Sequence, residues 1–127
     1  MPMDVNDKIH AQLVKTGVRL AASLPDDWVN TLIRRISAGN EIRHVPVGRE
    51  AETIAICAGA FFGGVRSVAI FGNTGLLTCT GEMATLCLRH QIPVFCPPQD
   101  GLECRPACVG LPAPTEFAAR PRIQHAQ

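Results

Sequence analysis

The feature that most constrains the fold is a repeated alternation between helix-patterned segments and short apolar runs. Residues 4–16 place Val5, Ile9 and Leu13 on one helical face, and Gly17 follows as a stop. The pattern then recurs along the chain. The predicted helices span about residues 4–16, the stretch between Asp26 and Gly39, residues 49–62 and residues 76–90; the predicted strands are VRLAA, IRHVPV, SVAIF and IPVFC.

Strands that are continuous apolar runs are typical of a parallel sheet covered by helices on both faces. The sequence therefore predicts an α/β fold, a three-layer sandwich with a mostly parallel sheet flanked by helices. Ligands of such sheets bind beyond the carboxyl ends of the strands. The turns SLPDD, GREAE and GNTG, each of which follows a predicted strand, are expected to line a site.

The chain changes character at Pro97. Residues 97–127 hold six of the ten prolines and show no sustained helical or strand period. We predict one α/β domain over residues 1–96 and an irregular, proline-rich C-terminal tail over residues 97–127.

Charge and hydropathy exclude several partners. Charged residues make up 18% of the chain and the net charge is +1, so no basic surface for nucleic acid or anionic membrane is expected. The longest uncharged stretches, residues 53–65 and 67–81, are shorter than the roughly 20 apolar residues of a membrane span. Since no basic and apolar leader opens the chain, we expect a cytoplasmic protein.

Four of the six cysteines lie inside apolar runs: Cys57, Cys79, Cys87 and Cys96. These four show no CxxC spacing, so we predict reduced, buried thiols. Cys104 and Cys108, with His125 further on, match no strong zinc pattern, and no metal site is predicted.

Glu50 and Glu52 lie at the predicted junction between the second strand and the third helix, in the segment HVPVGREAETIAICAGAFFGG. Acidic residues in a first helical turn are favoured by the helix dipole, at about 0.3 to 1 kcal/mol each, with no function required. The turn GREAE is also one of the three that are expected to line a ligand site, which makes both carboxylates candidate site residues. Both interpretations stay open from the residues alone.

The other two turns carry the same pair of interpretations. Asn73, Thr74 and Gly75 form either a strand-to-helix turn with a polar cap or a loop that lines a cleft. Pro25 and Asp26, after the first strand, are placed in the same way. These five are the candidate binding residues.

Three long segments together resemble a known family. GVRLAASLPDDW, EIRHVPVGREAETIAICAGAFFGG and FGNTGLLTCTGEMATLCLRHQIPVF are similar to the pyrimidine-binding half of thiamine-diphosphate-dependent decarboxylases. The likeness is to the alpha subunit of sulfopyruvate decarboxylase and to phosphonopyruvate decarboxylase. It runs from about residue 5 to residue 96 almost without gaps.

The resemblance implies the pyrimidine-domain fold and a role in converting sulfopyruvate, a 2-oxo acid, to sulfoacetaldehyde and carbon dioxide. It implies that a glutamate at the start of the third helix hydrogen-bonds the cofactor's pyrimidine ring, which makes Glu50 and Glu52 the candidate catalytic residues. The chain lacks the family's glycine-aspartate-glycine motif. Thiamine diphosphate is therefore expected to be shared with a diphosphate-binding beta subunit that holds Mg²⁺, in a hetero- or homo-oligomer.

The sequence departs from the family at one position. The family pattern has three consecutive glutamates after an arginine, and the middle, catalytic one falls on Ala51. Three alternatives follow: Glu50 or Glu52 serves after a one-residue slip, the cofactor binds without ordinary activation, or the chain is a non-catalytic relative that binds a partner or a ligand. An unrelated flavodoxin-like binding module is a further alternative.

Overall fold

The computed structural model describes residues 4–96, and the predicted tail over residues 97–127 lies outside this part of the chain. The helices are α1 (Val5–Lys15), α2 (Asn30–Ala38), α3 (Glu50–Phe62), α4 (Asn73–Thr78) and α5 (Thr80–Glu82), followed by a π-helical segment (Met83–Leu88). The strands are β1 (Leu20–Ser23), β2 (Arg43–Pro46) and β3 (Ser67–Ile70). The predicted alternation of helices and strands is confirmed over these elements.

The three strands form one parallel sheet with β1 in the centre, in the order β2-β1-β3. Leu20 opens β1 opposite Arg43 and Ser67, the first residues of its two neighbours. All three strands are four residues long, so they also end level with one another. Their carboxyl ends therefore share one edge of the sheet.

The side chains of β1 and β3 divide between two cores. Ala21, Val68 and Ile70 pack with α1 and α2, whereas Ala22 and Ala69 pack with α3 and the helices that follow it. This two-residue alternation is what a pleated sheet buried on both faces requires. The predicted three-layer α/β architecture is confirmed.

Two predicted elements differ in detail. The single helix predicted over about residues 76–90 begins earlier, at Asn73, and is interrupted at Cys79 before it continues into the π-helical segment. The Thr78 hydroxyl and the Cys79 thiol both donate hydrogen bonds to the Gly75 carbonyl, at 2.7 and 3.1 Å. Such side-chain bonds compete with the helical ladder, which explains the break.

The predicted fourth strand is an extended segment beside β3. The Ala69 amide donates a hydrogen bond of 2.9 Å to the Phe95 carbonyl, and Ile92, Val94 and Cys96 are buried in alternation. The segment occupies the predicted place, but it is not a regular strand within the described residues.

The helices of the described residues include none that is long and apolar enough to cross a membrane. Cys57, Cys79, Cys87 and Cys96 are buried, as predicted. Cys104 and Cys108 lie outside the described residues.

Two leucines test how the fold is stabilised. Leu32 is 1% exposed in the core beneath α2, whereas Leu77 is 74% exposed on α4. Because burial and the resulting cavity set the cost of truncation, Leu32→Ala should lower the free energy of unfolding by about 2 to 5 kcal/mol. Leu77→Ala is the same chemical change, and it should alter the free energy of unfolding by no more than about 0.5 kcal/mol. Urea denaturation measures both values. Equal losses in the two variants would contradict the described core.

Candidate functional site

Three turns meet at the carboxyl edge of the sheet. One joins β1 to α2 and carries Asp26, one joins β2 to α3 and ends at Arg49, and one joins β3 to α4 through Gly72. This edge is where open parallel sheets bind ligands. The structure places the predicted site residues on these turns or in the first residues of the helices that follow them.

Asp26 ties the first turn to the third. Its Oδ1 accepts a hydrogen bond of 3.2 Å from the Trp28 amide, and its carbonyl accepts the amides of Val29 and Asn30. The half-buried carboxylate lies against Gly72: a Cβ added to Gly72 would be 2.9 Å from Asp26 Cγ. A side chain at position 72 would therefore displace Asp26. Its neighbour Pro25 is exposed.

Glu50 ties the second turn to the third. It is the first residue of α3 and is half-buried. A Cβ added to Gly75 would lie 2.8 Å from Glu50 Oε1 and 3.0 Å from its Cδ, closer than side chains tolerate. Glu50 therefore occupies the space that a larger residue at position 75 would fill.

Glu52 has a different role. Its Oε2 accepts hydrogen bonds from the Gly48 amide at 2.8 Å and the Arg49 amide at 3.2 Å. A glutamate at the third helical position that reaches back to amides before the helix is a helix-capping residue. Ala51 lies half-buried between the two glutamates. The two predicted catalytic residues are thus separated: Glu52 caps α3, and Glu50 faces α4.

The start of α4 brings the remaining predicted residues to the same edge. Gly75 is buried, and its amide donates a hydrogen bond of 2.9 Å to the Gly72 carbonyl. Thr74 is exposed, and Asn73 opens the helix. Glu50 therefore packs against Gly75, and Asp26 packs against Gly72. Pro25 and Thr74 are exposed on the surface of their turns.

Sequence reasoning placed Cys79 in the core but did not connect it with the site. The residue is fully buried. Burial raises the pKa of its thiol, and the nearby negative charge of Glu50 raises that pKa further. The thiol is therefore held protonated and donates to the Gly75 carbonyl. The spacing of four residues between Gly75 and Cys79, one helical turn, is the signal that could have linked them.

A second group that sequence reasoning missed lies between β1, β2 and α2. His44 Nε2 is 2.6 Å from the Ser23 hydroxyl, and His44 Nδ1 is 2.9 Å from the Ser37 hydroxyl. Ser23 is fully buried, and burial lowers the pKa of the half-buried His44 imidazole. No local sequence pattern marks this group, because the two serines are 21 and 7 residues away from His44.

The described residues contain no group of three or more His, Cys, Asp or Glu side chains that could hold a metal ion. The groups that converge here are a half-buried carboxylate at Glu50 and the buried backbone of Gly75 beside it. A carboxylate can accept a hydrogen bond from a ring N–H, or donate one to a bare ring nitrogen when it is protonated. The Glu50 carboxylate could therefore hydrogen-bond a ring nitrogen of a ligand.

The fold and this edge define an α/β protein with carboxylates at the edge where its parallel strands end. The chain is similar to the sulfopyruvate decarboxylase subunit alpha of Methanothermobacter thermautotrophicus, with 30% identity over 94 residues, which cover 74% of this chain and 57% of that protein. The corresponding subunit of Methanococcus maripaludis is 27% identical over 93 residues, 73% of this chain and 56% of that protein.

A third relative is the phosphonopyruvate decarboxylase of Streptomyces viridochromogenes, 34% identical over 83 residues, 65% of this chain and 21% of that protein. No family model matches the chain. The resemblance predicted from the sequence is confirmed over about 70% of the chain. The chain spans about half the length of the sulfopyruvate decarboxylase subunits that it matches.

The lowered pKa of His44 predicts that the folded protein loses stability in acid. Because burial lowers its pKa in the folded chain, the unfolded chain binds the proton at a higher pH, and the free energy of unfolding should fall as the pH drops below about 6.5. The stability that His44 contributes is complete above that pH. In urea denaturation at pH 7.5 and pH 5.5, His44→Gln should show a flatter pH dependence than the parent. Identical slopes would contradict this effect.

The capping bonds of Glu52 should stabilise the fold mainly through its acceptor oxygen rather than through its negative charge. Replacement by alanine removes the acceptor for two backbone amides and should lower the free energy of unfolding by about 1 kcal/mol. Glu52→Gln keeps an acceptor oxygen and should cost less, as measured by thermal or urea denaturation. If the alanine and glutamine variants are both as stable as the parent, Glu52 is not a cap.

Proposed function

We propose that this chain is the alpha-type subunit of a thiamine-diphosphate-dependent 2-oxo acid decarboxylase, with sulfopyruvate as the substrate. The observation that carries the proposal is the similarity to sulfopyruvate decarboxylase alpha subunits in a chain whose carboxylates lie at the ligand edge of a parallel sheet. Phosphonopyruvate decarboxylase, a further relative, is also named for a 2-oxo acid with an anionic group.

In this proposal Glu50, Gly75 and the Asp26–Gly72 contact form the part of the site that receives the pyrimidine ring. Bound thiamine diphosphate would supply the electron sink for the electron pair released when carbon dioxide leaves a 2-oxo acid. The protein's own contribution at this edge is to orient the ring, exclude water at the buried Gly75 and move a proton at a carboxylate oxygen.

A partner subunit follows from the same proposal. The glycine-aspartate-glycine motif that holds Mg²⁺ and the diphosphate in this family is absent from the sequence. We therefore propose a diphosphate-binding beta subunit that completes the site at a subunit interface, in a cytoplasmic oligomer. The alpha-subunit names of two relatives support such a division of the enzyme between chains.

Ala51 favours one alternative, a non-catalytic subunit that retains the fold and binds a partner or a ligand. The structure gives Ala51 a half-buried place at the start of α3, next to Glu50. Alanine has no group that could exchange a proton. The alternative and the main proposal therefore differ in whether a neighbouring carboxylate replaces the missing one.

Reconstitution tests the proposed function. Together with a partner chain that carries the glycine-aspartate-glycine motif, thiamine diphosphate and Mg²⁺, the protein should release carbon dioxide from sulfopyruvate, measured by a coupled assay of the aldehyde product. If no neighbouring carboxylate replaces the missing one, Ala51→Glu should raise the turnover number about 10²-fold or more, because a positioned proton-transfer group contributes about 10² to 10⁴. If Glu50 already moves the proton, Ala51→Glu should change the turnover number far less. The single chains are the controls.

Cofactor binding without turnover in either the parent or Ala51→Glu would contradict the enzyme and support the non-catalytic subunit. Absence of thiamine diphosphate binding by the complex would support an unrelated binding module.

A further inference from the structure

Three arginines lie at the amino edge of the sheet, opposite to the edge that carries the candidate site. Arg43 opens β2, and Arg19 and Arg66 directly precede β1 and β3. Backbone hydrogen bonds link them in a row: the Arg19 amide donates to the Arg66 carbonyl at 2.9 Å, and the Arg43 amide donates to the Arg19 carbonyl at 2.8 Å. All three residues are exposed. Three positive charges therefore lie on neighbouring strands, which are about 4.8 Å apart.

The pleat of the sheet separates Arg43 from the other two arginines. Arg43 lies opposite Leu20, which also pairs with Ser67, and the Ser67 hydroxyl donates a hydrogen bond to a carbonyl of α3. Arg43 is therefore on the α3 face of the sheet. Arg19 and Arg66 each precede one member of the pair between β1 and β3, so the alternation of side chains places both on the α1 face.

The contacts of Arg66 agree with this direction. Its Nη1 donates a hydrogen bond of 2.6 Å to the Thr16 carbonyl, just after α1, and its Cδ and Nη1 would each lie 3.7 Å from a Cβ added to Gly17. The guanidinium is therefore held over the segment that leads into β1. The positive charge of Arg66 is fixed close to the backbone of Arg19.

Arg19 can supply hydrogen-bond donors beside this fixed charge. Its guanidinium has no hydrogen bond or ion pair with any residue that the structure describes. The acidic residue near this edge, Glu41, is engaged elsewhere, since its Oε2 accepts the Asn40 amide at 3.1 Å and lies against Gly39. A guanidinium carries five N–H donors in a planar fork that matches two oxygens of an oxyanion. An arginine side chain is also long enough to span one strand spacing.

We infer that Arg19 and Arg66 form a binding site for a tetrahedral oxyanion of the phosphate class at the amino edge of the sheet. Arg19 binds two oxygens of the anion through its fork, and the fixed charge of Arg66 neutralises the anion from the neighbouring strand. A dianion matches the two positive charges and removes the repulsion between them. This site lies at the opposite ends of the strands from the proposed active site, and it does not rest on the proposed function.

Titration of the full-length chain with inorganic phosphate tests the site, at about pH 7.5, where phosphate is mostly a dianion. Sodium chloride at the same ionic strength is the control. The amide NMR spectrum gives the Kd and locates the affected residues. We expect saturable shifts at Gly17, Arg19 and Leu20, with a Kd in the millimolar range or tighter, and no shifts in the Gly72–Gly75 turn. A parallel titration with glycerol phosphate distinguishes the source: tighter binding than inorganic phosphate identifies a phosphate ester, and weaker binding identifies free phosphate.

Substitutions separate the two roles. Arg19→Gln should weaken phosphate binding by about tenfold or more, because its charge-assisted hydrogen bonds are lost. Arg19→Lys should weaken it by about threefold or more, because lysine keeps the charge but not the fork. Arg66→Gln should cause a loss of about tenfold, and Arg66→Lys should recover part of it. Arg43→Gln is the matched control, since it removes the same charge from the same edge on the other face, and it should change the Kd less than about threefold.

Three results would overturn the site. One is the absence of saturable shifts in the parent chain, and the second is an unchanged Kd in Arg19→Gln. The third is an equal loss of affinity in Arg43→Gln and Arg19→Gln, which would show a diffuse charge effect. Urea denaturation of each variant confirms that it is folded, and the Arg19 variants remove no bond that the described residues make. Because the titration needs no thiamine diphosphate and no partner subunit, its failure would leave the proposed function untouched.

Discussion

The parallel pairing of β1 with both of its neighbours is the constraint on which the rest of the structure depends. Because β1 is central and all three strands start in register, their carboxyl ends stop level at one edge. Asp26, Glu50 and the Gly72 turn are separated by more than twenty residues in sequence, yet each follows a strand end. Strand pairing alone therefore places these three segments at the same edge of the sheet, whatever their side chains are.

Two glycines then decide how closely the turns approach. Gly72 leaves room for Asp26, and Gly75 leaves room for Glu50, so carboxylates from two neighbouring turns rest on the turn after β3. Neither approach would be possible with a larger residue. The turn GNTG therefore contacts both carboxylates, and packing rather than backbone conformation explains its two glycines.

The sequence was sufficient for the elements, the layers and the edge that carries the site, because apolar periodicity and strand-to-helix turns are local signals. It was not sufficient for the break in the helix at Cys79, which arises from two side chains that bond the Gly75 carbonyl. Nor could it separate Glu50 from Glu52, since both satisfy the same dipole pattern at a helix start. The bonds of Ser23 and Ser37 to His44 depend on strand pairing and helix packing, which only the folded chain defines.

The central claim is that Glu50 faces the ligand while Glu52 remains with its own helix. A crystal structure of the complex with thiamine diphosphate and the partner subunit tests it most directly, through the distance between Glu50 and the pyrimidine ring. We predict a Glu50 carboxylate oxygen about 2.6 to 3.2 Å from a ring nitrogen, with Glu52 still bound to the Gly48 and Arg49 amides. A ring nitrogen bonded to Glu52, or a ring bound away from the Gly72–Gly75 turn, would contradict the account.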